Sequence, residues 1–87
     1  MHEASLIADL LRRIDAVARG EHAKRIIAVS VRLGALSHFS ADHFAEHFAH
    51  ASRGTIAEGA RLAVTVSDDM RHRNAQDILI ESIEVEG

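Results

Sequence analysis

The spacing of apolar residues switches between a period near 3.6 and a period of two along this chain, and that switch constrains its fold more than any other feature. A period near 3.6 is typical of an amphipathic helix, whereas alternation is typical of a strand with one buried face. Helical spacing covers residues 3–19 and 41–52, and alternation covers residues 25–33, 61–67 and 78–86. The predicted order is therefore helix, strand, helix, strand, strand.

Each predicted element presents one apolar side to a common core. The last strand changes phase between Ile80 and Ile83, which predicts a β-bulge near Glu81 and Ser82. The predicted core positions are Leu6, Ile7, Leu10, Leu11, Ile14 and Val17 in the first helix, Ile27, Val29, Val31 and Leu33 in the first strand, Phe44, Phe48 and Ala51 in the second helix, and Leu62, Val64 and Val66 in the second strand.

The connections between elements predict how the strands pair. A strand, a helix and a second strand in succession favour a parallel pair joined by a right-handed crossover. The polar connection over residues 68–77 is short, and it favours an antiparallel partner for the last strand. We therefore predict an α+β fold in which two α-helices pack on one face of a three-stranded mixed β-sheet.

The composition argues against several classes of function. The net charge is −3 and the basic residues are scattered, which does not fit a nucleic-acid-binding protein. The apolar runs are too short to cross a membrane and no signal-peptide pattern is present, so we expect a cytoplasmic protein. The chain has no cysteine and no catalytic or phosphate-binding motif, so we expect neither thiolate metal sites nor enzyme activity.

The first three residues form a candidate metal site. The α-amine of Met1, the amide and imidazole of His2 and the amide of Glu3 can place four nitrogens in one plane around an ion. Such a plane suits Ni(II) or Cu(II). Methionine removal normally requires a small second residue, so His2 favours retention of Met1. The alternative that the tripeptide leaves open is a frayed polar terminus without a ligand.

Other histidines form a second, accessory candidate. His43, His47 and His50 recur at i, i+4 and i+7 on the second helix, a spacing that can chelate a divalent metal. They lie about 100° from the phenylalanine stripe, hence on the flank of the helix or its solvent side. His72 lies in the polar connection and could reach over the amino terminus as a further ligand. The alternatives are a polar helix face and a solvated loop histidine.

Several stretches together resemble the HypA/HybF family of nickel metallochaperones, which serve the maturation of nickel–iron hydrogenases. The likeness covers nearly the whole chain and follows the order of the family. The stretches are Met-His-Glu-Ala-Ser-Leu at 1–6, Val-Arg-Leu-Gly-Ala-Leu-Ser at 31–37, Arg-Gly-Thr at 53–55, Glu-Gly-Ala-Arg-Leu at 58–62 and Ile-Glu-Val-Glu at 83–86.

The resemblance implies a function and a set of partners. It implies that Met1, His2 and Glu3 bind Ni(II), and that the protein is a non-enzymatic accessory factor that passes nickel to a partner. The partners that it implies are a nickel-handling GTPase and the precursor of the hydrogenase large subunit.

The chain departs from the family pattern between the second and third strands. Family members insert a zinc domain with two CxxC motifs there, whereas this chain has only the short loop 67–77 and no cysteine. We therefore expect residues 1–87 to form a single HypA-like nickel-binding domain without structural zinc. The departure leaves a second function open, which is a metal-independent adaptor or regulator that binds a hydrogenase precursor or a maturation factor. A homodimer is also expected, because Leu79 has the opposite parity to Ile78 and Ile80 beside an exposed strand edge.

Overall fold

A computed structural model of the protein describes residues 3–35, 40–71, 73 and 77–87. The observed order of elements is the predicted one, and no predicted end differs from the observed end by more than one residue. The elements are α1 (Glu3–Gly20), β1 (Arg25–Leu33), α2 (Ala41–Ala51), β2 (Arg61–Val66) and β3 (Ile78–Glu86). In the described part of the chain, no helix combines the length and the apolar character that a membrane span requires.

The strands form one mixed sheet with β1 in the centre. β1 pairs in parallel with β2 and antiparallel with β3, so the strand order is β2-β1-β3. The predicted α+β fold, with two helices and a three-stranded mixed sheet, is therefore confirmed. Because β1 separates the other two strands, the connection from β2 to β3 passes across the end of β1.

Backbone hydrogen bonds hold both ends of that connection against the end of β1. The N–H of Ser67 donates to the carbonyl oxygen of Leu33 at 2.9 Å. The N–H of Gly34 donates to the carbonyl oxygen of Asp77, also at 2.9 Å. The positions where the chain leaves β2 and enters β3 are thus fixed relative to the central strand.

The core lies between the helices and one face of the sheet. α1 contributes Ala18 to it, whereas Val17, which we predicted to be a core residue, is 48% exposed. Successive helix residues are rotated by about 100°, so the line through Ile7, Leu10 and Ile14 continues to Ala18 and passes beside Val17. The buried apolar residues are Ile7, Leu10, Ile14, Ala18, Ile26, Val29, Val31, Leu33, Phe44, Phe48, Ala57 and Ile78.

Two irregularities in the pairing of β1 with β3 decide which residues face the core. Ile26 pairs with Val85 and Ala28 with Glu84, so Ile27 is an extra residue on β1. Ile26 therefore takes the buried position that we predicted for Ile27, which is only half-buried.

The second irregularity lies in β3. Ser82 pairs with Ser30 and Ile80 pairs with Val31, which leaves Glu81 as the extra residue. This confirms the bulge that the change of phase predicted near Glu81 and Ser82.

Two further predicted core positions are exposed. Val66 is 50% exposed because it ends β2, which is an edge strand with β1 as its only neighbour in the described chain. Ala51 is exposed at the end of α2, and the following residue, Ser52, is buried instead. The N–H of Ser52 donates to the carbonyl oxygen of Phe48, and its hydroxyl donates to that of Ala49, so burial leaves both donors satisfied.

Candidate metal sites

The amino-terminal candidate site lies at the start of α1. Met1 and His2 fall outside the described residues, and Glu3 is the first residue of the helix. The first four N–H groups of an α-helix have no partner within the helix. The backbone amide of Glu3 is therefore not needed for the hydrogen bonding of α1, and metal binding at this nitrogen would not disrupt the helix.

The first turns of α1 are anchored to the rest of the domain. Ile7 and Leu10 are buried in the core, and Leu6 is half-buried. Leu6 lines a small groove together with Asp77 and Ile78, where β3 begins. The start of α1 is therefore held at the end of the sheet where the connection from β2 enters β3.

α2 also begins at this end of the sheet. β1 and β2 run in parallel, so α2 has to return the chain from the end of β1 to the start of β2. Ser40 caps the helix, because its side-chain oxygen accepts the N–H of His43 at 3.1 Å. The starts of both helices and the connection between β2 and β3 thus share one end of the domain.

The histidines of α2 do not all come together. The Nε2 atoms of His43 and His47 lie 2.9 Å apart, and the ring centroids lie 4.5 Å apart with the rings nearly perpendicular. His50 lines a shallow groove together with Glu46, His47 and Arg53. His43 and His50 are exposed and His47 is half-buried, which agrees with the predicted position on the flank of the helix.

The fourth accessory candidate, His72, lies outside the described residues. Within the ranges that the structure describes, no group of three or more histidine, aspartate or glutamate side chains converges into a metal site. Of the three accessory candidates that the structure describes, His43 and His47 have ring nitrogens in contact, and His50 shares a groove with His47.

A further groove lies at the opposite end of the domain, and sequence reasoning did not anticipate it. It has a volume of about 740 Å³ and lies between the last turns of α1 and the turn that includes residues 54–58. Arg19 and Arg25 line it, and their guanidinium groups contact Asp15 and Glu86 at 2.7 and 2.8 Å. Basic residues that are scattered along the chain gather here only after folding, so no local motif could have revealed the groove.

Comparison with known proteins identifies the family. Residues 1–72 match a family model, which is described as "Hydrogenase/urease nickel incorporation, metallochaperone, hypA". This chain belongs to the HypA family. Hydrogenase maturation factor HypA of Methylocella silvestris is 38% identical over 66 residues, which are 76% of this chain and 58% of that protein. The factor of the same name from Archaeoglobus fulgidus is 38% identical over 66 residues, 76% of this chain and 60% of its own length.

The structural comparison supports the fold independently of sequence. The solution structure of the Ni metallochaperone HypA from Helicobacter pylori matches with a TM-score of 0.82 at 17% identity, covering 100% of this chain and 99% of that one. A second solution structure, of a HypA protein, matches with a TM-score of 0.74 at 18% identity, covering 98% of this chain and 96% of that one. By sequence, however, the chain spans only about three-fifths of the length of the two HypA relatives.

Proposed function

We propose that this protein is an accessory factor of nickel–iron hydrogenase maturation, which binds Ni(II) through Met1, His2 and Glu3 and releases it to a partner. The observation that carries the proposal is membership of a nickel-incorporation family in a chain that begins with a chelating tripeptide. The partners that fit this function are the nickel-handling GTPase and the precursor of the hydrogenase large subunit.

The chemistry of the tripeptide supports capture followed by release. The amine, two amides and one imidazole supply four nitrogen donors, and this donor set favours square-planar Ni(II) or Cu(II). All four donors lie in three consecutive residues at a chain end, so a partner can replace them one at a time. Ile7 and Leu10 are buried, so the scaffold that presents the tripeptide stays in place during the exchange.

Nickel titration of the untagged protein tests the proposal directly. We expect one Ni(II) per chain at the amino-terminal site, and we expect this binding to be lost in His2→Ala and in a chain extended before Met1. Binding should also weaken below about pH 6, because the amine and the imidazole must both lose a proton to bind the metal. Mass spectrometry of the same samples verifies that Met1 is the first residue.

A matched control uses His22, which lies just beyond the other end of α1. His22 has a positive φ of 55°, which asparagine tolerates well, so His22→Asn changes the histidine count with little backbone strain. This variant should bind nickel as the wild type does. Equal nickel affinity of His2→Ala and the wild type would overturn the proposal.

A second candidate function is a metal-independent adaptor or regulator that binds a hydrogenase precursor or a maturation factor. The observation that favours it is the connection of residues 67–77, which carries no cysteine where the family places its zinc domain. Binding of the large-subunit precursor distinguishes the two functions. Equal affinity of the wild type and His2→Ala for the precursor, with and without nickel, would favour the adaptor.

A further inference from the structure

We infer that His43 and His47 form a second binding site for a divalent metal ion, of the Cu(II) and Ni(II) class, on the flank of α2. The site uses neither the amino-terminal amine nor the residues of the tripeptide. It does not depend on the proposed function, since its ligands are side chains of an internal helix.

The backbone that carries the two imidazoles is fixed. Phe44 and Phe48, each one residue after a histidine, are 0% and 2% exposed. The two turns of α2 that carry these histidines are therefore held against the core. The capping hydrogen bond, which the N–H of His43 donates to the side-chain oxygen of Ser40, holds the first turn at its start. The two rings therefore begin from Cα positions that metal binding does not have to arrange, and this reduces the entropy lost on binding.

The distance between the donor atoms matches a cis pair of ligands. Metal–nitrogen bonds to histidine measure about 2.0–2.1 Å, so two such bonds at a right angle hold their nitrogens about 2.9 Å apart. A tetrahedral angle between the same bonds would require about 3.4 Å. The observed separation of the Nε2 atoms is 2.9 Å. Right-angled ligand pairs occur in square-planar or tetragonal sites, which are typical of Cu(II) and Ni(II).

A hydrogen bond joins the same two Nε2 atoms when no metal is bound. At 2.9 Å one Nε2 carries a hydrogen and the lone pair of the other accepts it. A metal ion takes both lone pairs, which requires the hydrogen of each neutral ring to be on Nδ1. Binding thus replaces a hydrogen bond that already holds the two rings together.

The described residues give the site two ligands, the imidazoles of His43 and His47. Among the described residues, no third imidazole or carboxylate converges on the pair. Water or a ligand from another molecule would complete the coordination, so we expect an exchangeable metal rather than a permanently held one. The first turn of α2 lies at the end of the sheet where α1 begins, so the site lies on that side of the domain.

The experiment uses the full chain with a Gly-Ser extension before Met1, which blocks the tripeptide. Cu(II) and Ni(II) are titrated, and bound Cu(II) is located by the broadening of backbone amide signals in two-dimensional NMR. We expect one Cu(II) per chain, with broadening centred on residues 43–47 and weaker binding of Zn(II) than of Cu(II). Broadening elsewhere, or no saturable binding of Cu(II), would overturn the inference.

Three single substitutions in the extended chain identify the ligands. His43→Gln and His47→Gln should each weaken Cu(II) binding by about tenfold or more, because even the hydrogen-bond partners of metal ligands contribute that much. His50→Gln, on the same helix, is the control and should change the affinity less than about twofold. Circular dichroism verifies that each variant is folded. Equal losses in all three variants would show nonspecific binding and would also overturn the inference.

Discussion

The two faces of the β-sheet use the same three strands and the same backbone pairing, but they differ in what their side chains contact. On the face beneath the helices, Val29, Val31 and Leu33 of the central strand are at most 2% exposed. On the opposite face, Arg32 is exposed and its guanidinium lies 3.3 Å from the carboxylate of Glu81. Burial of apolar area dominates folding energy, so nearly all of the stabilisation comes from the first face.

The opposite face carries mainly small and charged residues, with Leu79 as an apolar exception. Ser30 pairs with Ala63 on one side and with Ser82 on the other. Arg61 and Glu84 form a further ion pair across the sheet at 3.6 Å, and both side chains are largely exposed. Exposed ion pairs contribute about 0–1 kcal/mol each. The comparison teaches that this domain needs only one packed face, which leaves the other face and the flanks of the helices available for binding.

The largest expected effect comes from a substitution that creates a cavity beneath the helices. Leu10→Ala removes a fully buried side chain of α1 and should lower the free energy of unfolding by about 2–5 kcal/mol. Val17→Ala, on the exposed side of the same helix, is the control and should cost less than about 1 kcal/mol, since alanine favours the helix. Urea denaturation of both variants measures the difference. Similar losses would mean that the core does not lie where the structure has it.

The second prediction concerns association through the edge of the sheet. Leu79 pairs with Arg32 and lies on the face opposite Ile78 and Ile80, in an edge strand. We expect the protein to be a dimer at tens of micromolar. The reason is that β3 is a long edge strand that carries the apolar Leu79, and such an edge favours pairing with a second copy. Leu79→Lys should halve the mass measured by light scattering. A monomer mass for both proteins would rule out the dimer.

A smaller effect is expected from the ion pair on the opposite face. Glu81→Gln removes the charge that faces Arg32 and should change the free energy of unfolding by about 1 kcal/mol or less. The double variant with Arg32→Gln isolates the coupling between the two side chains, and high salt should reduce that coupling. A coupling energy well above this value would show that the opposite face also stabilises the fold.

The smallest effect, a null result, is expected from removal of metal. The core is contiguous without a ligand, so a chelator should leave the unfolding temperature unchanged. Elemental analysis of protein purified without an affinity column should find no stoichiometric zinc, because the chain has no cysteine to hold it. Melting on chelation would contradict the first expectation, and one tightly held zinc per chain would contradict the second.

The sequence was sufficient to predict the element order and the ends of the elements, because these depend on local periodicity. The burial of Ile26 in place of Ile27 was not predictable from local periodicity. It depends on how Val85 and Glu84 pair with β1 from the other end of the chain. By contrast, the bulge at Glu81 left a local trace, since it reverses the parity of the apolar residues within β3 itself.

For the candidate metal residues too, local spacing predicted some features and not others. The i, i+4 spacing of His43 and His47 was sufficient to predict that they share one side of α2. The spacing could not distinguish them from His50, because the rotamer of each ring depends on its surroundings rather than on the helix period. The coordination at Met1 and His2 stays a prediction from the chemistry of the tripeptide, and the nickel titration tests it.

The hydrogen bonds from Ser67 to Leu33 and from Gly34 to Asp77 have a consequence for how this domain can vary. β2 and β3 flank β1, so the chain leaves and re-enters the sheet at points about 10 Å apart, or two strand spacings. A fourfold longer connection would add only about 1 kcal/mol of closure entropy. This end of the sheet is therefore a modular attachment point, which can accept a short loop or an entire folded insert without a change of strand register. Whatever occupies it stands beside the start of α1.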